Sequence, residues 1–147
     1  MTNKKYGQIL LLACVLVLMA IPVISGQQTL VICNSSVPHD SLGSGDIQQI
    51  FLGRKTRWSD NQKISFVIMK EGEAHTEFLR SYVSKTPSQY QAFWRKMVFT
   101  GQSGLPLSFS APEEIINYVA ATPGAIGYVP AGLPHDRVKV VAAVPAN

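Results

Sequence analysis

Apolar residues along the chain recur in three patterns. Short continuous runs at 29–33, 64–69, 125–129 and 138–144 are rich in β-branched residues and bounded by turn residues, which predicts four strands. The run Ile64–Met69 is the most continuous, as expected of a strand covered on both faces. Helical spacing is the second pattern. Ile47, Ile50 and Phe51 share one face, as do Phe78, Leu79, Tyr82 and Val83. Tyr90, Phe93, Trp94, Met97 and Val98 form a longer stripe, and Ile115, Ile116, Val119 and Ala120 another. Polar residues punctuate these segments. Ser44 precedes the first helix as a cap, Thr86 and Gln89 have capping-box spacing around Pro87, and Ser110 and Glu113 repeat that spacing. Gly53 and Pro123-Gly124 are stops, and 101–106 is a Gly/Pro loop. The order β-α-β-α-α-α-β-β predicts an α/β domain, a sheet with helices packed on its faces.

The third pattern lies at the start. Lys4 and Lys5 precede an apolar run from Ile9 to Ile24 that contains Pro22, and the small residues Ser25 and Gly26 follow. Charge, apolar core and small residues in that order predict a secretory signal over 1–26, a domain over 27–147 and a periplasmic location. An uncleaved N-terminal anchor is the alternative. Cleavage before Cys14 would leave a greasy tail and is not expected. Of 13 basic residues two lie in the signal, leaving eleven against nine acidic ones. That balance excludes nucleic acid as an expected partner. Cys33 is then the lone cysteine, expected as a buried thiol without a disulfide.

Signatures of catalysis are absent. The chain has no Gly-x-Ser-x-Gly elbow and no phosphate-binding Gly-Lys-Ser/Thr loop. His39, His75 and His135 are scattered without metal spacing, and nothing implies a cofactor or metal. Glu71 and Glu73 are expected as a solvated pair, and Asn34-Ser35-Ser36 as a polar turn despite its sequon pattern. What remains is anion chemistry at helix starts, where free N–H groups and the helix dipole favour negative charge. Ser35 and Ser36 after the first strand, and His75 and Thr76 after the second, are the candidate ligand-binding residues. Helix capping is the competing role for such serines and threonines.

Two stretches resemble the phosphate-binding components of ABC transporters. Ile50-Phe-Leu-Gly-Arg-Lys-Thr-Arg-Trp-Ser-Asp60 is similar to that family's IFLGK-x-T-x-W-x-D stretch, and Thr122-Pro-Gly-Ala-Ile-Gly-Tyr-Val129 to its TPGAIGYV. Phe78, Phe93-Trp94 and Phe99-Thr-Gly101 fall between them in the family's order. The resemblance implies a single lobe of the type II periplasmic binding protein-like fold, with a mixed sheet flanked by helices. It also implies phosphate or another oxyanion as ligand, and a membrane transporter or sensor component as partner. Full-length members have two lobes, whereas this chain has room for one. Their Arg-x-Asp-Gly-Ser-Gly-Thr loop is replaced by Lys70-Glu71-Gly72-Glu73-Ala74-His75-Thr76, whose carboxylates would repel a dianion. The retained motifs suit scaffolding: Gly127 permits close approach of a neighbouring element, and Trp58 anchors its loop. Two non-catalytic functions follow, a weak oxyanion-binding module or a partner-binding module that docks on a sensor, a transporter or itself as a homodimer.

Overall fold

The computed structural model describes residues 28–144, so the predicted signal segment lies outside the described residues. The elements are β1 (Thr29–Cys33), α1 (Ser44–Phe51), β2 (Ser65–Met69), α2 (Glu73–Phe78) running into a π-helical turn (Leu79–Val83), α3 (Pro87–Phe99), β3 (Leu107–Phe109), α4 (Pro112–Ala121), β4 (Ala125–Pro130) and β5 (Lys139–Val144). The five strands form one mixed sheet in the order β3-β2-β4-β1-β5. β2 runs parallel to β3 and β4, while β1 runs antiparallel to β4 and β5. The short edge strand β3 was not predicted. It has three residues, follows Pro106 and leaves Leu107 exposed, so it carries no apolar run.

Chain direction gives the sheet two distinct ends. β1 exits beside the starts of β2 and β4, with Cys33 paired to Ile126 and Ser65 to Ala125. β2, β3 and β4 exit at the opposite end, where β1 begins with Thr29 opposite Pro130. The five residues of β1 separate the ends by roughly 15 Å at the usual rise per residue.

Packing explains which predicted faces are buried. α4 lies against β4 at Gly127, where a Cβ would stand 2.9 Å from an Ile115 methyl and 3.0 Å from a Val67 methyl. Only glycine lets the helix approach so closely, as its place in the strand implies. On the other side Phe51, Phe78 and Tyr128 form an aromatic centre, with the Phe78 and Tyr128 rings stacked at 3.8 Å between centroids. The π-helical turn ends at Ser84 with φ 56°, after burying Leu79 and Val83; Tyr82 is half-buried. α3 has the predicted Thr86/Gln89 capping box with Pro87 in its first turn. It is tied to the core by the Tyr90 hydroxyl, which donates to the Phe51 carbonyl at 2.7 Å, and by Trp94 packed on Phe66.

Four local expectations are corrected. Gly43, not Ser44, occupies the N-cap of α1. α4 begins at Pro112, so the box shifts by one: the Glu114 carboxylate accepts from the Ala111 N–H at 3.0 Å, and alanine has no side chain to return the bond. β2 is not fully covered on both faces. Val67 and Met69 are buried, but Ile68 is half-exposed where α3 leaves a cleft above the β2–β3 edge, and Phe66 where a second hollow opens beside Trp94 and Leu107. Val98, at the end of the α3 stripe, is 41% exposed for the related reason that the last turn of α3 leaves the core.

Candidate functional site

At the β1-exit end polar groups satisfy one another. The buried Asn34 amide donates to the Val119 and Ala120 carbonyls at 2.7 and 3.0 Å, closing the last turn of α4. Its side-chain oxygen accepts from the Ser36 N–H at 2.9 Å. The Ser36 hydroxyl accepts from the Gly124 N–H at 3.0 Å and meets the Gln62 amide. The buried Trp58 indole donates to the Gly124 carbonyl at 3.0 Å. Asn34 is therefore a helix-closing residue, as a polar turn would supply, and its burial leaves no exposed amide. Trp58 anchors its loop as predicted. Ser35 is exposed and Ser36 is engaged with Gly124.

The β2-exit end differs. A cleft of about 460 Å³ opens between β2, β3 and the start of α3, and Lys70, His75, Ser88, Gln91 and Ser108 are polar residues of its lining, with Tyr90, whose hydroxyl is bonded to Phe51. No carboxylate lines it. Glu73 faces a separate, smaller hollow with Met69, Ala74 and Pro130. Glu71 is exposed and lines neither. The loop's two acids thus stay out of the cleft lining that its lysine and histidine share, which residue order alone does not reveal.

His75 is 5% exposed, and its Nδ1 lies 2.5 Å from the Tyr128 hydroxyl. That hydroxyl also accepts from the Met69 N–H at 3.2 Å. The Tyr128 proton has no other acceptor among the described residues, so the hydroxyl donates to Nδ1 while accepting from Met69. Burial lowers the pKa of His75 and favours the neutral ring. The network therefore assigns the remaining ring proton to Nε2, which makes no hydrogen bond among the described residues. Burial raises the Tyr128 phenol well above its ordinary pKa, so it stays protonated and keeps this polarity. The Trp94 indole N–H lies near the Tyr90 hydroxyl without a well-formed hydrogen bond. Lys70 has no ion pair among the described residues. The cleft is accordingly rich in donors and holds a single fixed cation.

Of the four residues predicted from sequence, His75 alone lines this cleft. The Thr76 hydroxyl donates to the Gly72 carbonyl at 3.2 Å within α2. Ser35 and Ser36 stand at the other end of the sheet, so the four side chains do not form one cluster. Sequence reasoning missed Lys70, Ser88 and Ser108, which share a cleft only because β3 pairs beside β2. Its one available signal was Lys70 at the end of the strongest strand. Among the described residues no group of His, Cys, Asp or Glu could hold a metal ion. Cys33 is buried, and burial pushes its thiol up to about 11, as expected of an inert structural cysteine.

Comparison with solved structures finds the same fold in longer proteins, among them phosphate receptors. An ABC-type phosphate transport receptor from Vibrio cholerae matches with a TM-score of 0.52 at 17% identity, over 80% of this chain and 47% of its own. PstS from Borrelia burgdorferi matches with a TM-score of 0.60 at 15% identity, over 79% of this chain and 47% of its own. The chain thus spans about half the length of these proteins, which accords with a single lobe. Comparison with curated proteins finds no match. Residues 17–144 match the family model described as a PBP superfamily domain, and the chain belongs to that family.

Proposed function

We propose that the chain is a non-catalytic solute-binding lobe, exported by its N-terminal signal, that holds phosphate or another oxyanion in the cleft between β2, β3 and α3. The observation that carries this reading is the pairing of Lys70 with the oriented His75 N–H in a cleft without carboxylates. A cation and neutral donors attract an acceptor-only ligand, and nothing in the lining repels it. The structural relatives include a phosphate transport receptor, which supports a phosphate-like ligand and a membrane transporter as partner. A single lobe leaves the ligand open to water on one side, so affinity is weak, in the millimolar range rather than micromolar. Isothermal titration of the chain with phosphate and with sulfate tests this. Heat that disappears in Lys70→Ala supports it; no heat at millimolar anion, or heat unchanged by Lys70→Ala, overturns it.

A second reading is favoured by one feature. Phe99 is 93% exposed, and Leu107 is 46% exposed on the open edge strand β3. Such residues suit docking on a transporter, a sensor or a second copy in the periplasm. Sedimentation of the wild type against Phe99→Ser separates the cases: a shift to smaller species in the variant supports self-association, and identical monomers argue against it.

A further inference from the structure

The cleft is too large and too apolar at one end for an inorganic anion alone. A four-oxygen anion has five heavy atoms and fills roughly 150 Å³ if each takes about the volume of a water molecule. The cleft holds about 460 Å³, within the range of sites for organic ligands. Its chemistry is graded along β2 and β3. Lys70 and His75 stand where β2 exits. Leu105 and Pro106 stand where β3 begins, with Ile68 and Trp94 also in the apolar lining. Leu105 is 70% exposed, an aliphatic side chain of the cleft lining left largely uncovered among the described residues. With one cation and no carboxylate in the lining, the cleft complements one anionic group and no cationic one.

We infer that the ligand is an organic anion, with a carboxylate or phosphate monoester head at Lys70 and His75 and an uncharged apolar body of about ten heavy atoms lying toward Leu105 and Pro106. This rests on the reading of the cleft as an anion site. The head supplies acceptors to the Lys70 ammonium and the His75 Nε2–H, and the body removes Leu105 from water. Inorganic phosphate occupies the head position only.

Titration of the full chain with inorganic phosphate, phenyl phosphate, acetate and hexanoate tests the inference. Phenyl phosphate is expected to bind at least tenfold tighter than phosphate, and hexanoate at least tenfold tighter than acetate, from transfer of apolar groups into a half-open cleft. Leu105→Ser, at an exposed loop position, abolishes that gain while leaving phosphate affinity unchanged. Lys70→Ala weakens all four ligands. Phosphate and phenyl phosphate binding within twofold of each other, or a gain that survives Leu105→Ser, overturns the organic ligand while leaving the anion site standing. No binding by any of the four removes the anion site itself.

Discussion

The two ends of the sheet use similar residues to opposite effect. At the β1-exit end Asn34, Ser36, Gln62, Trp58 and Gly124 bond to one another and to the end of α4. At the β2-exit end the Lys70 ammonium and the His75 Nε2 make no such bonds among the described residues, and Tyr128 leaves the proton of this cleft-lining histidine on Nε2. The sequence motifs that resemble the phosphate-binding family cluster at the first end. The departures from that family cluster at the second. A polar loop is evidence of a site only when its donors are left over after the fold has used what it needs.

Changes at the saturated end should act on stability. The largest effect is expected for Gly124→Ala. Gly124 has φ 74°, and a Cβ there would lie 2.2 Å from the Lys63 carbonyl oxygen. The loop must move, with a destabilisation of ~3 kcal/mol or more in urea unfolding. Asn34→Ala comes next. It strands two carbonyls and the Ser36 N–H, and should lower stability by about 2–3 kcal/mol. Refolded protein from either variant is expected to keep its anion affinity, since neither residue lines the cleft.

Those two positions also show what the sequence made legible. Gly53, Gly124, Gly127 and Trp58 could be assigned to scaffolding because a turn or a close approach demands a particular residue locally. The strand and helix order followed from periodicity, and the sheet's mixed direction came with the family resemblance. β3 escaped because an edge strand with one exposed face needs no apolar run, and Pro106 resembles a loop residue. The site was harder. His75 was found as a helix-start residue, but its meaning depends on Tyr128, 53 positions away. Ser35 and Ser36 were grouped with it because both pairs follow strands. The antiparallel course of β1 sends them to the other end, and only tertiary pairing sets that direction. Glu73 was read as repelling an anion, yet the turn at Gly72 directs it into a different hollow.

Changes at the open end should act on binding and leave the fold nearly intact. Lys70→Ala is expected to reduce phosphate affinity about tenfold, with stability within ~0.5 kcal/mol of wild type, because the exposed ammonium has no ion-pair partner among the described residues. The smallest effect concerns pH. Burial holds His75 below its ordinary 6.5, so between the folded and unfolded values the unfolded chain binds the extra proton. Its contribution to stability is full above about pH 6.5 and is lost as pH falls from there through the lower folded value. The urea midpoint of the wild type should therefore drop more between pH 7.5 and 5.5 than that of His75→Gln. Equal drops would place the titration elsewhere.

The contrast between the two ends is tested most directly by following backbone and histidine resonances by nuclear magnetic resonance while phosphate is added. The expected shifts fall on Lys70, Ser88, Ser108 and the His75 ring, whose Nε2 carries the proton before and after binding. Ser35, Ser36 and Asn34 should remain still. Shifts centred on Ser35 and Ser36, or a His75 ring protonated at Nδ1 in the free protein, would contradict the account.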